Sequence, residues 1–281
     1  MGSTSGRVPA RDGTSRLVRH WEANGEPWVH VLLLHGLGEH SGRYEHVGQW
    51  LARSGIDVHA FDHCGHGGSD GPRGDIDRWE HFHEDVEDRL AAVRALAGER
   101  AIALYGHSMG GLIALGYALS GRPLPELLVL SSPGLAASFP RWQRTLVTLF
   151  GRVVPGFRIP NGVDGAVLSR DPAVGAAYLA DELNVHRSAL RLGRLGFAEQ
   201  DRVQAQLGAL SIPTYVFHGA DDPLVPAAAS EPLGRLLGVT RVVLPGLRHE
   251  THNEPEGERV IAGAVDWLRA QAGDHRGAAR G

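Results

Sequence analysis

The stretch Gly106–Gly111, with the sequence GHSMGG, decides the fold of this chain. It follows a strand-like run, Ala101–Tyr105, and precedes an apolar helical run, Leu112–Leu119. A turn this sharp between a strand and a helix strains the backbone of its serine, and it requires glycine two residues before and two residues after. The pattern predicts Ser108 as a nucleophile raised above the sheet at the positive end of a helix. The alternative is a glycine-rich turn with an incidental serine.

The remainder of the chain alternates between strand-like and helix-like runs. Strands followed by helices predict an α/β fold with a mostly parallel central sheet that helices cover on both faces. Such sheets bind ligands at the carboxyl ends of their strands, where the motifs described below also lie. The other predicted strands are Val29–Leu34, Ile56–Phe61, Leu127–Leu130, Thr214–Phe217 and Arg241–Leu244, and the other predicted helices are Trp79–Leu96 and Val260–Leu268.

One long stretch, from Gly134 to about Arg202, interrupts this alternation. It contains helical patches without a clear strand, which predicts an inserted helical cap. The predicted domains are a core formed by residues 15–134 and 205–270, a cap at 135–204, and flexible termini at 1–14 and 271–281. Five cap residues at helical spacing are predicted to contact lipid or to pack onto the core; packing is favoured, and both can hold for different residues. They are Phe139, Trp142, Leu146, Leu149 and Phe150.

Composition excludes several functions. All 28 basic residues are arginine, so a lysine-dependent phosphate loop and a pyridoxal phosphate or Schiff-base enzyme are excluded. A net charge of −4 without a basic run gives no reason to expect nucleic-acid binding. Cys64 is the one cysteine, and no segment reads as a signal peptide or membrane span. We therefore expect a cytoplasmic protein, with peripheral membrane contact left open.

A serine hydroxyl needs a histidine base and a carboxylate that orients the histidine. In folds with this serine turn, the chain order is Ser, then Asp or Glu, then His. Asp221 and Asp222 follow the predicted strand Thr214–Phe217, and His249 follows the last predicted strand. The sequence predicts His249 as the base rather than the nearby His252. Spacing alone leaves the choice between the two aspartates open.

Acyl transfer also needs donors for the developing oxyanion, each stabilising the transition state by about 3 kcal/mol. One donor is the backbone N–H after the nucleophile, that of Met109. The second is expected from the loop that begins at His35, and the N–H of Leu37 is the predicted donor. His35 itself is interpreted as a strand-end histidine that bonds to the backbone.

Two other groups of residues have the composition of a metal site. His63 and His66 flank Cys64, and His81 and His83 precede two acidic residues. Zinc needs three or four convergent ligands, which neither spacing favours. We predict no metal site and no cofactor.

Taken together, these motifs resemble the monoacylglycerol lipase family, whose members are serine hydrolases with the α/β-hydrolase fold. The resemblance extends from about Val29 to Leu268 and is closest to bacterial, particularly actinobacterial, members. It rests on the oxyanion loop His35–Tyr44, the stretch Asp62–Gly67, the serine turn Gly106–Gly111, the acid loop Gly219–Val225, Ser169–Pro172 in the cap, His249-Glu250, and Asn253–Pro255.

This resemblance implies Ser108, Asp222 and His249 as the catalytic triad, and Leu37 and Met109 as the oxyanion donors. It also implies a cap over an apolar acyl pocket. Glu39 and Arg43 would bind or orient a glycerol end, or else form a salt-linked loop, and both alternatives stay open.

Three departures from the family pattern are Cys64, Glu182 and Arg248. None affects the triad, but Arg248 is expected at the mouth of the site, where it would bear on the identity of the substrate.

The expected function is hydrolysis of a carboxylic ester through an acyl-enzyme on Ser108, with a monoacylglycerol as the expected substrate. The alternatives are a lysophospholipase or a short-chain carboxylesterase with the same triad. A binding protein of this fold without turnover is the alternative from a different class, although a pure binder has no need of all three catalytic side chains.

Overall fold

The computed structural model describes residues 2–138 and 140–278, without the side chains of residues 141 and 273–278. In this part of the chain eight strands form one sheet, with the order β1-β2-β4-β3-β5-β6-β9-β10. The strands from β4 to β10 are parallel, whereas β2 is antiparallel to both β1 and β4. The bounds are β1 (Thr4–Pro9), β2 (Ser15–Trp21), β3 (Val29–Leu34), β4 (Ile56–Phe61), β5 (Ile102–His107), β6 (Leu127–Ser131), β9 (Thr214–Gly219) and β10 (Val239–Leu244).

The predicted α/β fold is confirmed, and the predicted strands lie where their apolar runs indicated. Every residue of β3, β5, β6 and β9 is buried. Continuous apolar sequence is typical of parallel strands that are covered on both faces, because neither face meets water. Runs of this kind are therefore strong predictors of the centre of such a sheet.

Helices cover both faces of the sheet. α2 and α3 pack on one face, where Phe82 and Val86 join a core cluster with Leu34. α1 and α8 pack on the other face, where Ile261 joins a cluster with Val31. The helix bounds are α1 (Glu45–Arg53), α2 (Glu80–Ala97), α3 (Met109–Ala118), α4 (Arg141–Val153), α5 (Gly165–Leu168), α6 (Pro172–Ala180), α7 (Leu190–Gln206) and α8 (Gly257–Ala278).

The segment between β6 and β9 is inserted above the carboxyl ends of the strands and contains α4 to α7. We call it the cap segment (residues 132–213). It also contains a short antiparallel pair, β7 (Arg158–Pro160) and β8 (Arg187–Ala189). The expectation of no strand here was wrong, since three-residue strands are too short to show a periodic pattern.

The structure also differs from the expected flexible termini. Thr4–Pro9 forms the edge strand β1, whose backbone pairs with β2 and whose Arg7 contacts Asp70. This strand could not be predicted from its polar, glycine-containing sequence. An edge strand is held by backbone hydrogen bonds and buries few side chains, so it needs no apolar pattern. At the other end α8 continues to Ala278, past the predicted end at Leu268. Residues 279–281 lie outside the described residues.

No helix within residues 2–138 and 140–278 is both long and apolar enough to cross a membrane.

Candidate active site

Ser108 lies at the turn between β5 and α3 and has a positive φ of 53°. The flanking glycines are needed because their hydrogens face backbone. A Cβ on Gly106 would come within 2.3 Å of the carbonyl oxygen of Gly110, and one on Gly110 would meet the carbonyl oxygen of Leu34 at 2.3 Å. The strained turn leaves Ser108 only partly buried, at the floor of a cavity. Its hydroxyl is therefore accessible to a ligand.

A hydrogen-bonded chain joins the three side chains predicted for catalysis. Nε2 of His249 lies 2.9 Å from Oγ of Ser108, and Nδ1 of His249 lies 2.7 Å from Oδ2 of Asp222. Residue 249 is 141 positions from Ser108, and parallel strands bring it there because their carboxyl ends share one edge of the sheet. In this arrangement Nδ1 donates to the carboxylate, which leaves Nε2 free to accept the serine proton.

The geometry distinguishes the two aspartates that spacing left open. Asp222 is buried beneath His249, whereas Asp221 is exposed. Burial would raise the pKa of Asp222, but hydrogen bonds from His218 and His249 outweigh burial and hold it well below its ordinary value. The second oxygen of Asp222 accepts the backbone N–H groups of Leu224 and Val225, both at 2.9 Å. Asp222 is thus held as an anion in one orientation.

Sequence reasoning missed His218, which places Nε2 3.1 Å from Oδ2 of Asp222. The signal was present, because His218 lies four residues before Asp222 at the end of β9. His252, the alternative base, is buried against the rings of Tyr44 and His107, and it does not reach Ser108. Burial followed by the charge on His249 lowers the pKa of His107 to about 4, so this neighbour stays neutral.

The two predicted oxyanion donors, the backbone amides of Leu37 and Met109, belong to residues that line the same cavity as Ser108. Met109 is the first residue of α3, so its N–H has no partner within the helix. Among the described residues, neither amide has a hydrogen-bond partner. A Cβ on the neighbouring Gly36 would lie 3.2 Å from Cβ of Ser108, which shows how closely this loop approaches the serine.

Glu39 and Arg43 form a buried ionic network beside the site. Arg43 donates to Glu39 at 2.7 Å and bidentately to Glu250 at 2.6 and 2.8 Å. Tyr44 donates to Glu39 at 2.7 Å, and the guanidinium of Arg43 lies 5.0 Å from the ring centre of Tyr178 in the cap segment. Burial opposes ionisation of Glu250, but the charge of Arg43 outweighs it and lowers the pKa. The salt-linked alternative therefore describes these residues, although both also line the cavity.

Removing the charge of Arg43 should destabilise the protein strongly. Arg43→Met leaves two carboxylates unpaired whose side chains are each 3% exposed, and this is expected to lower the free energy of unfolding by about 3–5 kcal/mol. The matched control is Arg53→Met, because Arg53 and its partner Glu258 are 55% and 68% exposed and such pairs contribute about 0–1 kcal/mol. Urea unfolding measures both. Equal losses in the two variants would contradict the network.

The family motifs that lie outside the triad tie the cap segment to the His249 loop. Glu254 accepts hydrogen bonds from Nε of Arg170 at 3.0 Å and from the backbone N–H of Arg248 at 2.8 Å. Oγ of Ser169 donates to the carbonyl oxygen of Asn253 at 3.0 Å. The cap segment is therefore anchored beside His249.

Arg248 and Cys64, two of the departures from the family pattern, lie away from the cavity lining. The guanidinium of Arg248 donates to the carbonyl oxygens of Ala166 and Ser169 in the cap segment. The expectation that Arg248 borders the mouth of the site was wrong, because Arg248 is not part of the cavity lining. Its hydrogen bonds hold the cap segment instead. Cys64 is buried, which raises the pKa of its thiol to about 11. The third departure, Glu182, is exposed.

His35 agrees with its interpretation as a strand-end histidine bonded to the backbone. Its Nδ1 donates to the carbonyl oxygen of Gly36 at 2.8 Å, and its Nε2 accepts the N–H of His63 at 2.9 Å. With both nitrogens occupied, His35 fixes the loop that carries Leu37.

A cavity of about 1150 Å³ extends from Ser108 beneath the cap segment. Ligand sites usually measure about 300–1000 Å³, so this one suffices for a long-chain molecule. Its walls are predominantly apolar and come mainly from the cap segment: Leu146, Val147, Phe150, Val154, Phe157, Ile159, Val163, Val167 and Phe197. The polar side chains close to Ser108 and the apolar walls beyond it match an ester with a long hydrocarbon part.

The cap residues predicted to pack onto the core are instead exposed. Trp142 is 61% exposed, Leu149 is 51% exposed, and Leu146 and Phe150 are 42% and 52% exposed. Phe139 lies outside the described residues. The packing alternative is wrong for these four, because α4 turns one apolar face toward the cavity mouth and solvent. This exposed face needs another explanation.

A serine at a strand–helix turn, bonded to a histidine and an aspartate in the order Ser-Asp-His on a parallel sheet, defines an α/β-hydrolase. The chain belongs to the serine aminopeptidase S33 family, whose model matches residues 25–256. It is 34% identical over 258 residues to the monoacylglycerol lipase of Mycolicibacterium smegmatis, covering 88% of this chain and 90% of that protein. These findings confirm the predicted family and the prediction of a hydrolase.

Two further relatives are similar. The human monoglyceride lipase is 30% identical over 254 residues, which cover 86% of this chain and 82% of that protein. The crystal structure of the monoacylglycerol lipase of Paleococcus ferrophilus superposes with a TM-score of 0.80 at 31% identity, covering 92% of this chain and 99% of that one.

Proposed function

We propose that this protein hydrolyses a monoacylglycerol to glycerol and a free fatty acid. The observation that carries the proposal is the hydrogen-bonded chain Ser108–His249–Asp222 at the floor of a large apolar cavity. Relatives named monoacylglycerol or monoglyceride lipase at 30–34% identity support the substrate class.

Acylation begins when Oγ of Ser108 attacks the ester carbonyl carbon and its proton moves to Nε2 of His249. The carbonyl oxygen becomes an oxyanion, which the N–H groups of Leu37 and Met109 stabilise. Asp222 stabilises the imidazolium without accepting its proton. When the carbon–oxygen bond of the ester breaks, the leaving glycerol oxygen takes the proton from His249, and the acyl group remains on Ser108.

Deacylation reverses these roles. A water molecule attacks the acyl carbon while His249 takes one of its protons, and the carboxylic acid leaves as Ser108 regains its proton. The acyl chain lies along the apolar walls of the cap segment. The glycerol end lies near Glu39 and Arg43, which are among the polar residues of the cavity lining.

A substrate panel tests this function. Each buried CH2 of the acyl chain contributes about 0.8 kcal/mol to binding. After each kcat/KM is divided by the rate of alkaline hydrolysis of the same ester, the value for a long-chain monoacylglycerol should therefore exceed that for p-nitrophenyl acetate at least about 100-fold. The panel also contains diacylglycerols, lysophospholipids and an aminoacyl arylamide. Preference for a lysophospholipid, for acetate or for the arylamide would reject the monoacylglycerol assignment, and binding without turnover would favour the non-catalytic alternative.

We also propose that α4 contacts a lipid surface from which the substrate enters. Trp142, Leu149 and Val153 recur at spacings of seven and four along one helix face, and Val153 is 78% exposed. These three lie outside the cavity lining, whereas Leu146 and Phe150 on the same side belong to it. An apolar helix face beside the cavity mouth would deliver a lipid without passage through water.

Polar substitutions on α4 should weaken vesicle binding while sparing soluble esters. The double variant Leu149→Ser/Val153→Ser is expected to lower partitioning onto phosphatidylcholine vesicles at least about 10-fold, because it removes apolar area that would enter the interface. The control is Leu237→Ser, at a residue 98% exposed and outside the cap segment. Cosedimentation measures binding. Equal binding by all three proteins would contradict membrane contact through α4.

A further inference from the structure

A second group of polar side chains lies on the sheet, outside the lining of the catalytic cavity. His20 on β2 is opposite His59 on β4, and His30 on β3 is opposite Asp57 on β4. Because Asp57 and His59 are two residues apart on one strand, they project from the same face. Three neighbouring strands thus bring three imidazoles and one carboxylate together. We call these four residues the histidine cluster.

All three imidazoles of the histidine cluster surround the single carboxylate. From its oxygens, Nε2 of His20 lies at 3.0 Å, Nε2 of His59 at 2.9 Å and Nδ1 of His30 at 3.3 Å. One ligand atom each from His20, Asp57 and His59 lie within 4.8 Å of one another. Ligand atoms around one tetrahedral zinc ion are about 3.3 Å apart, so small side-chain movements would complete the geometry.

Hydrogen bonds satisfy only part of this group, since Oδ1 of Asp57 accepts from Nε2 of His20 at 3.0 Å and from the backbone N–H of Ala23 at 3.1 Å. The side chain of His30 is 4% exposed and faces Asp57, yet neither of its ring nitrogens has a hydrogen-bond partner. Nε2 of His59 is also buried without an aligned partner. Buried polar atoms are almost always satisfied, and a cation would satisfy these.

The histidine cluster is accessible from solvent. The side chain of His20 is 38% exposed, and His20 and His59 line a small cavity of about 170 Å³ between the edge of the sheet and α2. An ion can therefore reach His20 and His59 without opening of the fold.

We infer that His20, Asp57 and His59 bind a divalent transition metal, with His30 as the fourth ligand. Imidazole nitrogens with one carboxylate oxygen suit zinc, whereas calcium and magnesium prefer oxygen ligands throughout. The four ligands come from three strands near the sheet edge, so the ion would clamp β2 to β4 and β3. This is a stabilising site, and it is independent of ester hydrolysis.

Zinc titration of the metal-free, untagged full-length protein tests the inference. Calorimetry should give one zinc per chain, and zinc at about 100 times its Kd should raise Tm by roughly 5–10 °C. His20→Gln, at the most exposed ligand, should reduce affinity at least about 10-fold while circular dichroism stays native. Asp57→Asn should abolish binding.

Two control variants test whether histidines outside the histidine cluster bind the zinc. His186→Gln, at an exposed histidine of the cap segment, and His249→Ala, at the active site, should both keep the full zinc affinity and the Tm shift. Unchanged zinc binding by folded His20→Gln and Asp57→Asn proteins would overturn the site. So would the absence of any Tm shift in the unsubstituted protein at millimolar zinc.

Discussion

Replacing Ser108 with alanine is expected to lower kcat for ester hydrolysis by about 10⁶-fold. The oxygen that forms the acyl-enzyme is lost, and the neighbouring His249 then has no hydroxyl to deprotonate. A fluorophosphonate probe, which loses fluoride as it phosphonylates an activated serine, should label the unsubstituted protein on Ser108 and leave Ser108→Ala unlabelled. Peptide mapping locates the label, and hydrolysis of p-nitrophenyl butyrate gives the rate.

The matched control is Ser120→Ala, because the hydroxyl of Ser120 caps the carbonyl oxygen of Tyr117 far from the site. This variant should keep full labelling and a rate within about twofold of the unsubstituted protein. Labelling that persists in Ser108→Ala, or labelling of Ser108 that is unaffected by His249→Ala, would contradict the proposed nucleophile and base.

The centre of the fold could be predicted because strands that are buried on both faces require continuous apolar sequence. Val29–Leu34 and Ile56–Phe61 match β3 and β4 residue for residue. The serine turn could be predicted for a different reason, since only glycine fits where an added Cβ would come within 2.3 Å of a backbone carbonyl oxygen. In both cases a local physical requirement restricts the residue types, so the local sequence predicts the structure without knowledge of tertiary contacts.

Features that depend on tertiary contacts could not be predicted. Asp221 and Asp222 are neighbours of the same type, and only the path of the loop buries one under His249 and exposes the other. The link from Arg43 to Glu250 spans 207 residues. The edge strand β1 is polar and gains its order from backbone pairing. None of these has a periodic or compositional signature.

The histidine cluster, the proposed metal site, could not be predicted for the same reason. The sequence directs attention to His63 and His66, or to His81 and His83, because each pair is close along the chain. Pairing of β2 with β4 instead brings together residues 20 and 59, with ring centres 4.6 Å apart. Register across strands decides such a group, and register cannot be read from local spacing.

Asp222→Asn is expected to lower kcat by about 10⁴-fold, because an amide in place of the carboxylate no longer holds His249 in the tautomer that leaves Nε2 unprotonated. Asp221→Asn is the control at an exposed neighbour of the same type, and it should change kcat less than twofold. Both rates are measured with p-nitrophenyl butyrate. Equal losses at the two positions would mean that the acid had been assigned wrongly.

The same pair of variants gives a pH test. The folded-state pKa of Asp222 is lowered, so its ionisation stabilises the protein above the unfolded-state value, and this contribution is lost only as the pH falls toward the folded-state value. The difference in the free energy of unfolding between the unsubstituted protein and Asp222→Asn should therefore be largest near neutral pH and shrink below about pH 4. A difference that grows as the solution becomes more acidic would show that residue 222 is protonated in the folded protein, and a neutral acid there could not stabilise the imidazolium on which both halves of the reaction depend.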